Sequence, residues 1–292
     1  MIHSMHNDLR DVRVAIQGSQ ASFHHVAAMG YFGSKAEMIY CHSFKESCEA
    51  LVANRADYTV IAAGNSIAGN ILANYEMVLQ YGFSVIGEVY CPIALHLMAL
   101  KETNAEEIHS IRSHPMALLQ CADFLSAMPQ IEVIAAGDTA SCAREITTRN
   151  MTHTAVIAGY ETAKCYGLRI LNENIHAQTH NYTRFWILSK GDTLPDESNK
   201  ASLSFMLKDR AGSLAEALFC FRSEGLNLAS IQSLPPSRDR GSYRFYADVE
   251  YSHRNKFLRC ISALQMKCNE LKIMGEYRRD LNPDLKLNAF KI

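Results

Sequence analysis

Short apolar runs alternate with amphipathic stretches through most of the chain. The runs predict strands at 12–16, 38–41, 58–63, 84–90, 131–136, 154–158 and 168–171. Between most of them apolar positions recur at helical spacing, as in the stripe of Tyr75, Val78 and Leu79. The repeated order of strand and helix predicts an α/β fold with a largely parallel sheet.

A further strand is expected at 181–188, where the chain returns to the first sheet. Phe185 and Ile187 alternate with Arg184 and Trp186. Thr183 and Arg184 place a hydroxyl and a guanidinium at the start of this strand, where hydrophobic burial does not explain them. From spacing alone, a strand start with a surface salt bridge is the simpler interpretation.

The order of elements changes after a polar stretch, 191–199, that contains Gly and Pro. Strands are predicted around 203–207, 226–233, 243–250 and 272–277, with helices over 214–221 and 257–268. This β-α-β-β-α-β order is that of a ferredoxin-like domain.

Polar clusters stand where several helices are expected to begin. They are Asn65-Ser66, Ser113-His114-Pro115 and Asp138-Thr139. We expect Ser113 to cap a helix whose inward positions are Leu118, Leu119, Ala122 and Leu125. Gln120 lies off that stripe, so its amide is expected to face a cleft.

Two interpretations of these clusters stay open at this point. Since ligands of α/β sheets bind beyond the carboxyl ends of strands, the clusters predict one cleft for a small, multiply anionic substrate. Alternatively, Asn65, Ser113 and Thr139 simply cap helices. Surface or capping positions are likewise the simpler interpretation of His24, His25 and His114.

Composition narrows the classes of function. At 292 residues with 48% hydrophobic and 20% charged residues, the chain is globular and long enough for two domains. A net charge of -1 gives no argument for nucleic acid or an acidic membrane as a partner. No stretch predicts a membrane span, since 92–100 is short and interrupted by His96. Residues 1–10 lack the apolar core of a secretory signal.

Cofactor motifs are missing as well. The nine cysteines include no Cys-x-x-Cys pair and no ordered Cys/His spacing, which argues against structural zinc and for reduced thiols in the cytoplasm. The turn at 18–23 lacks Gly-x-Gly-x-x-Gly, so NAD is not supported.

Together these residues resemble prephenate dehydratase with a C-terminal ACT regulatory domain, from about residue 12 to residue 277. The resemblance rests on Gly18–Phe23, Asn65–Gly69, Gly87–Val89, Ser113–Pro115 with Gln120-Cys121, Asp138–Ala140 and, above all, Thr183–Phe185. In the C-terminal part, Gly212–Leu214 and Leu226-Asn227 resemble the segments of the ACT domain.

The resemblance implies a fold and a division of the chain. The catalytic domain, 11–190, is expected to have two lobes like type II periplasmic binding proteins, about 11–91 with 181–190, and 92–180. A linker at 191–200, a ferredoxin-like ACT domain at 201–280 and a tail at 281–292 are expected to follow.

The resemblance also implies an activity. Family members convert prephenate to phenylpyruvate with loss of water and carbon dioxide, in L-phenylalanine biosynthesis, and need no metal or organic cofactor. Thr183 is then expected to donate to the leaving hydroxyl, with Asn65 and Gln120 as catalytic amide donors. Expected substrate-binding residues are Ser22, Ser66, Ser113, His114, Thr139, Arg184 and Phe185.

Regulation follows from the same resemblance. L-phenylalanine is the expected effector of a homodimer or homotetramer. The allosteric residues are expected to be Gly212, Ser213, Leu214, Leu226 and Asn227.

Two further functions stay open, and the chain departs from the family pattern at three places. Gly64 stands where the family usually has Glu, Ala21 where it commonly has Gly, and Gln232–Pro235 where it often has Glu-Ser-Arg-Pro. The first favours a catalytically weakened sensor of aromatic or amino acids. If the Glu contact is merely missing, Gly64→Glu is expected to maintain or raise activity. Arogenate dehydratase is the other alternative, since the ring chemistry is identical.

Overall fold

A computed structural model describes residues 12–191, 197–234 and 241–280 of the chain. Residues 192–196 of the expected linker, the end of the Gln232–Pro235 segment and the expected tail at 281–292 lie outside these residues. Among the described residues, no helix combines the length and the apolar character needed to cross a membrane.

The first lobe is built on a sheet with the strand order β2-β1-β3-β11-β5, to which β4 adds beside β3. Its strands are β1 (Arg13–Gln17), β2 (Glu37–Cys41), β3 (Tyr58–Asn65), β4 (Gly69–Asn70), β5 (Ser84–Pro92) and β11 (Tyr182–Ser189). Its helices are α1 (Phe23–Phe32), α2 (Phe44–Val52) and α3 (Leu72–Tyr81). Because β3 is buried along nearly all its length, its C-terminal end brings Asn65 out at the edge of the core.

The second lobe has a five-stranded sheet in the order β10-β6-β9-β7-β8. Its strands are β6 (His96–Ala99), β7 (Ser110–Ser113), β8 (Glu132–Ala135), β9 (Thr154–Ala158) and β10 (Arg169–Asn172). Its helices are α4 (Pro115–Gln120), α5 (Ala122–Ser126), α6 (Thr139–Thr148) and α7 (Tyr160–Tyr166), with a 3₁₀ turn at Ala105–Glu107.

This sheet is mixed rather than largely parallel, so that expectation was wrong for the second lobe. β7 runs parallel to β8 and β9, but β6 is antiparallel to both of its neighbours, β9 and β10. The physical reason is that β6 enters from the first lobe and inserts between two strands that a helical crossover had made parallel to each other.

The C-terminal fold has the predicted β-α-β-β-α-β order, which confirms the ferredoxin-like expectation. Its elements are β12 (Lys200–Lys208), α8 (Ser213–Ser223), β13 (Asn227–Leu234), β14 (Ser242–Glu250), α9 (Arg254–Gln265) and β15 (Glu270–Tyr277). The antiparallel sheet has the order β13-β14-β12-β15. Alternate residues of β12, Leu203, Phe205 and Leu207, pack in the core cluster with Phe221 and Phe257 of the two helices.

The chain divides into two compact units, 12–71 with 89–185 and Leu72–Glu88 with Trp186–Asp280. The second unit therefore combines α3 and the first part of β5 with the ferredoxin-like fold. Here Gly275 of β15 lies so close to β5 that an added Cβ would overlap the carbonyl group of Val85. Only glycine permits this approach of two backbones.

A buried ion pair lies in the second unit, on the side of β12 opposite the apolar core. Lys200 Nζ is 2.9 Å from each carboxylate oxygen of Glu88, and their side chains are 3% and 0% exposed. Glu88 also accepts the backbone N–H of Asp280 at 3.2 Å. Removal of two charges from water is costly, so each member depends on the other.

We therefore expect Lys200→Met to lower the free energy of unfolding by about 3–5 kcal/mol, since it leaves the Glu88 carboxylate buried without its cation. The double variant Glu88→Leu with Lys200→Met should recover most of the loss. Denaturant unfolding of the single and double variants measures both. A double variant no more stable than the single one would contradict the pairing.

Candidate active site

The side-chain amide of Asn65 joins the end of β3 to the start of β11. Its Nδ2 lies 2.9 Å from Asn181 Oδ1, 3.0 Å from the carbonyl oxygen of Tyr182 and 3.2 Å from Thr183 Oγ1. Two N–H bonds are thus shared among three acceptors, all on the returning strand or next to it. One side chain of the first lobe therefore sets the position of Thr183.

The oxygen of the same amide turns the chain back on itself. Asn65 Oδ1 accepts the backbone N–H groups of Ile67 and Ala68 at 2.9 and 3.0 Å. Gly69, at φ +81°, then leads into β4, which pairs with β3. Such side-chain hydrogen bonds compete with helix formation. The expectation that a helix begins at Asn65-Ser66 was therefore wrong, since α3 follows only after β4.

Ser66 is tied to the backbone that leads into β11. Its Oγ donates to the carbonyl oxygen of His180 at 3.1 Å and accepts the N–H of Tyr182 at the same distance. The Ser66 N–H donates to the carbonyl oxygen of Tyr182 at 2.9 Å. The O–H of Ser66 is thus engaged within the protein.

A chain of amides connects the two lobes. The buried Asn181 accepts from Asn65 and donates through Nδ2 to Gln120 Oε1 at 2.9 Å. Within the described part of the chain, the NH2 group of Gln120 has no hydrogen-bond partner. Gln120 is therefore held by its oxygen with both N–H bonds available to a ligand.

The hydroxyl of Thr183 is arranged as a donor. Its oxygen accepts from Asn65, and its O–H has no acceptor among the described residues. Strand alternation places Thr183 and Phe185 on one face of β11 and Arg184 on the other. Arg184 is buried, and its role as a carboxylate partner stays a prediction that this alternation does not favour.

Helix α1 in the first lobe and helix α6 in the second each have a side-chain cap at the N-terminus. Ser22 caps α1 and accepts the N–H of His25 at 3.3 Å. Asp138 caps α6 and accepts the N–H groups of Ala140 and Ser141, both at 2.9 Å. Such termini carry partial positive charge, which favours anions.

Thr139 follows this cap as the first residue of α6. The residue is buried, and its hydroxyl makes no hydrogen bond to any described residue. It therefore stays a candidate hydroxyl donor.

The helix expected at Ser113 has a different cap. His114, not Ser113, caps α4 by accepting the Met116 N–H through Nδ1 at 3.2 Å. Ser113 ends β7, and its buried Oγ donates to the carbonyl oxygen of Ile157 at 2.6 Å.

The helix also breaks at Cys121, which separates α4 from α5. The expected inward face was wrong at Leu119, which is 66% exposed. Ala122 is exposed as well, because the break rotates the positions that follow it.

The second lobe holds the turn that precedes α1. Ser19 Oγ donates to the Asp138 carboxylate at 3.2 Å, and Thr162 Oγ1 donates to the carbonyl oxygen of Ala21 at 3.0 Å. Ala21 has φ +64°, a left-handed conformation that costs a residue with a Cβ about 1–2 kcal/mol. Gly18 has φ +98° and lies close to Asp138 and Ser22.

Two histidines near these termini are neutral at pH 7. Burial lowers the pKa of His24 to about 3, with a smaller contribution from His114. Burial also lowers the pKa of His114, partly offset by Asp138. Neither imidazole therefore supplies positive charge to a bound anion at neutral pH.

A cavity of about 350 Å³ lies elsewhere in the second lobe. Its walls are Leu97, Ala105, Ile108, Met128, Ile131 and Arg169–Asn172. They include none of the residues described above, and most belong to the edge of an apolar core. Among the described residues, no group of three or more His, Cys, Asp or Glu side chains is placed to hold a metal ion.

Comparison with known proteins assigns this arrangement to a family. The family model described as prephenate dehydratase matches residues 14–193. A bifunctional chorismate mutase/prephenate dehydratase of Aquifex aeolicus is 32% identical over 274 residues, which cover 93% of this chain and 75% of that protein. The chain belongs to the prephenate dehydratase family.

Two further relatives extend the comparison of this family member. An arogenate dehydratase/prephenate dehydratase of Arabidopsis thaliana is 31% identical over 297 residues, covering 96% of this chain and 75% of that protein. The crystal structure of prephenate dehydratase from Arthrobacter aurescens in complex with L-Phe has a TM-score of 0.82 at 24% identity. It covers 96% of this chain and 98% of its own, so the fold is shared along nearly the whole length.

Gly64, the departure from the family's usual Glu, stands directly before Asn65. A Cβ built on Gly64 would lie 2.8 Å from Asn70 Oδ1 and 3.3 Å from both the Asn70 Cα and the Gly69 carbonyl oxygen. Asn70 pairs with Gly64 across the hairpin. A side chain at position 64 would therefore require Asn70 to move.

Sequence reasoning missed the role of Asn181, which links both catalytic amide candidates. His24, named from the sequence as a surface or capping residue, is half-buried and carries a buried ring nitrogen. The position of Asn181, two residues before Thr183 in an otherwise strand-like segment, was the available signal.

Asn65→Asp should keep the hairpin oxygen but turn an oxygen toward three acceptors in place of the NH2 group. We expect a loss of about 1–3 kcal/mol in the free energy of unfolding at pH 7. Urea unfolding measures it, with Asn150→Asp at an exposed turn as the control for added charge. Equal stabilities of the two variants would contradict the role of the Asn65 NH2 group.

Gly64→Glu should lower activity, because the new Cβ displaces Asn70 and shifts the neighbouring Asn65. Combining it with Asn70→Gly should restore most of the loss by opening the space. Steady-state kinetics of both variants are the measurement. Full activity of Gly64→Glu alone would show that the hairpin accommodates the side chain.

Proposed function

We propose that this family member is a hydro-lyase that converts prephenate to phenylpyruvate in L-phenylalanine biosynthesis. The observation that carries the proposal is the Thr183 hydroxyl, whose oxygen accepts from Asn65 while its O–H lacks an acceptor among the described residues. Membership of the family supports it independently.

The reaction needs one proton and little covalent help. The ring C–O bond breaks and the hydroxyl leaves as water after it gains a proton. The electron pair of the bond to the ring carboxylate moves into the ring as carbon dioxide departs, and phenylpyruvate keeps one carboxylate. Because the product ring is aromatic, the driving force lies in the substrate, and the protein has to orient a dianion and assist the hydroxyl.

Thr183 is the donor that we assign to the leaving hydroxyl. A free threonine is a weak acid, but a hydrogen bond accepted by its oxygen polarises the O–H and strengthens it as a donor. Asn65 Nδ2, at 3.2 Å, makes that bond. Positioned acid catalysis contributes about 10²–10⁴-fold, so loss of this hydroxyl should be felt mainly in turnover.

Binding of the dianion is assigned to neutral donors. The N-terminus of α1, the NH2 group of Gln120 and the Thr139 hydroxyl are the candidates. Ser66 and Ser113 donate their O–H groups to backbone carbonyl oxygens, so we propose that they shape the site rather than donate to substrate. Preorganised dipoles of this kind need no reorganisation during the reaction.

The ferredoxin-like fold is proposed to be an ACT regulatory domain, residues 201–280, that binds L-phenylalanine. The predicted effector residues fall in two groups, Gly212–Leu214 at the start of α8 and Leu226-Asn227 beyond its end. Helix geometry separates the two groups by about 15 Å. One amino acid cannot span that distance, so a second copy of the chain in a homodimer or homotetramer is proposed to complete the site.

The cytoplasm is the proposed location, consistent with nine cysteines that are all free. Burial raises the pKa of most of these thiols, as for Cys121 to about 12, so they are unreactive core residues rather than nucleophiles.

Arogenate dehydration is the second candidate, favoured by the Arabidopsis relative whose name includes both activities. The two substrates share the ring chemistry and differ at the side chain. Side-by-side kinetics decide between them, and we expect the higher kcat/KM for prephenate. Turnover of neither substrate above the solvent rate would favour a sensor and contradict the proposal.

Thr183→Ala should lower kcat on prephenate by about a hundredfold or more, because it removes the donor to the leaving hydroxyl. Thr183→Ser, which keeps the hydroxyl, should retain most of the activity. Single-turnover kinetics with phenylpyruvate as the readout separate this effect from binding. Near-normal turnover of Thr183→Ala, with circular dichroism unchanged, would remove Thr183 from the mechanism.

A further inference from the structure

His24 carries a polar atom that the fold does not use. It lies in the first turn of α1, and its Nε2 is buried without a hydrogen-bond partner among the described residues. A buried unpaired nitrogen is costly, and such atoms in folded proteins call for an explanation. A phenylalanine would fill similar space without that cost, so packing alone does not account for the imidazole.

The aromatic contacts of the His24 ring place it beside β11, the strand that carries Thr183. Its centroid is 4.8 Å from that of Phe185 in an edge-on arrangement at 75°, and 5.2 Å from that of Phe44. Phe185 lies two residues after Thr183 and on the same face of β11. His24 therefore packs against the face that carries the proposed donor.

The second lobe reaches His24 as well. His114, the cap of α4, is close enough to interact with it electrostatically. His24 is thus near side chains of both lobes. An aromatic wall beside an unpaired ring nitrogen suits a cyclic ligand that carries an oxygen acceptor.

We propose that Nε2 of His24 is a substrate-binding group that donates a hydrogen bond to an oxygen of a cyclic, anionic keto acid. The inference rests on the proposed function and names a further contact of the same site. The imidazole stays neutral, because burial lowers the pKa of His24 to about 3. A neutral ring carries one N–H, so it binds oxygen without adding charge between the lobes.

A substitution that removes only the nitrogen separates binding from packing. His24→Phe should leave the melting temperature unchanged or higher, since it removes a buried unpaired atom. It should lower kcat/KM for prephenate by about tenfold or more, chiefly through KM. His24→Gln, which keeps an N–H donor, should recover part of that loss.

His25→Phe is the matched control. His25 follows on the same helix, and its ring stacks at 5.9 Å on Tyr40 rather than on Phe185. It makes the same chemical change one position away and should leave kcat/KM within about twofold of the unmodified protein.

Wild-type kinetics keep this inference distinct from the proposed function. With wild-type turnover established, a His24→Phe variant that is stable and has normal KM and kcat would overturn the inference, and Nε2 would face a buried water instead. If His24→Phe does not fold, the variants His24→Gln and His24→Leu decide. A kcat/KM of His24→Gln that is at least half the wild-type value supports the inference. A kcat/KM of His24→Gln as low as that of His24→Leu overturns it.

Absence of turnover by the wild-type protein would contradict the proposed function but not this inference. Calorimetric titration with phenylpyruvate then becomes the readout. Weaker binding by about tenfold in His24→Phe supports the contact. Equal affinities, or no binding to either protein, overturn it.

Discussion

A single carboxamide ties the end of β3 to the returning strand β11. Asn65 gives its oxygen to the hairpin that follows β3 and its NH2 group to Asn181, Tyr182 and Thr183. Because the same planar group makes both sets of bonds, the hairpin and the strand cannot move independently without breaking hydrogen bonds in a partly buried place. The position and the donor direction of the Thr183 hydroxyl follow from this constraint.

The chemistry proposed for the site suits such a neutral arrangement. The substrate supplies the driving force, so the protein needs no strong acid, and its contribution is a polarised hydroxyl together with oriented N–H groups. Both nearby histidines are neutral, which agrees with binding of an anion by dipoles rather than by cations.

The ferredoxin-like fold forms one compact unit with α3 and the first part of β5. Lys200 pairs with Glu88, Gly275 admits the backbone of Val85, and Tyr75 packs on Tyr246. These contacts join the sheet of the ferredoxin-like fold to α3 and to the first part of β5.

Hydrophobic periodicity predicted most elements, because burial on one face leaves a clear mark on a strand or helix. The β-α-β-β-α-β order and the strand at 181–188 are examples. It failed where side chains rather than burial direct the backbone. Asn65 turns the chain into a hairpin, His114 takes over the cap from Ser113, and the break at Cys121 exposes Leu119. Periodicity also cannot show which residues meet across 116 positions, as Asn65 and Asn181 do.

The coupling between Asn65 and Thr183 is the central claim, and a double-mutant cycle on kcat for prephenate tests it most directly. Asn65→Ala, Thr183→Ala and the double variant should show a coupling of about 1 kcal/mol or more, with Asn65→Ala costing little once Thr183 is gone. Effects that simply add would mean that Asn65 does not act through Thr183, and would contradict the account.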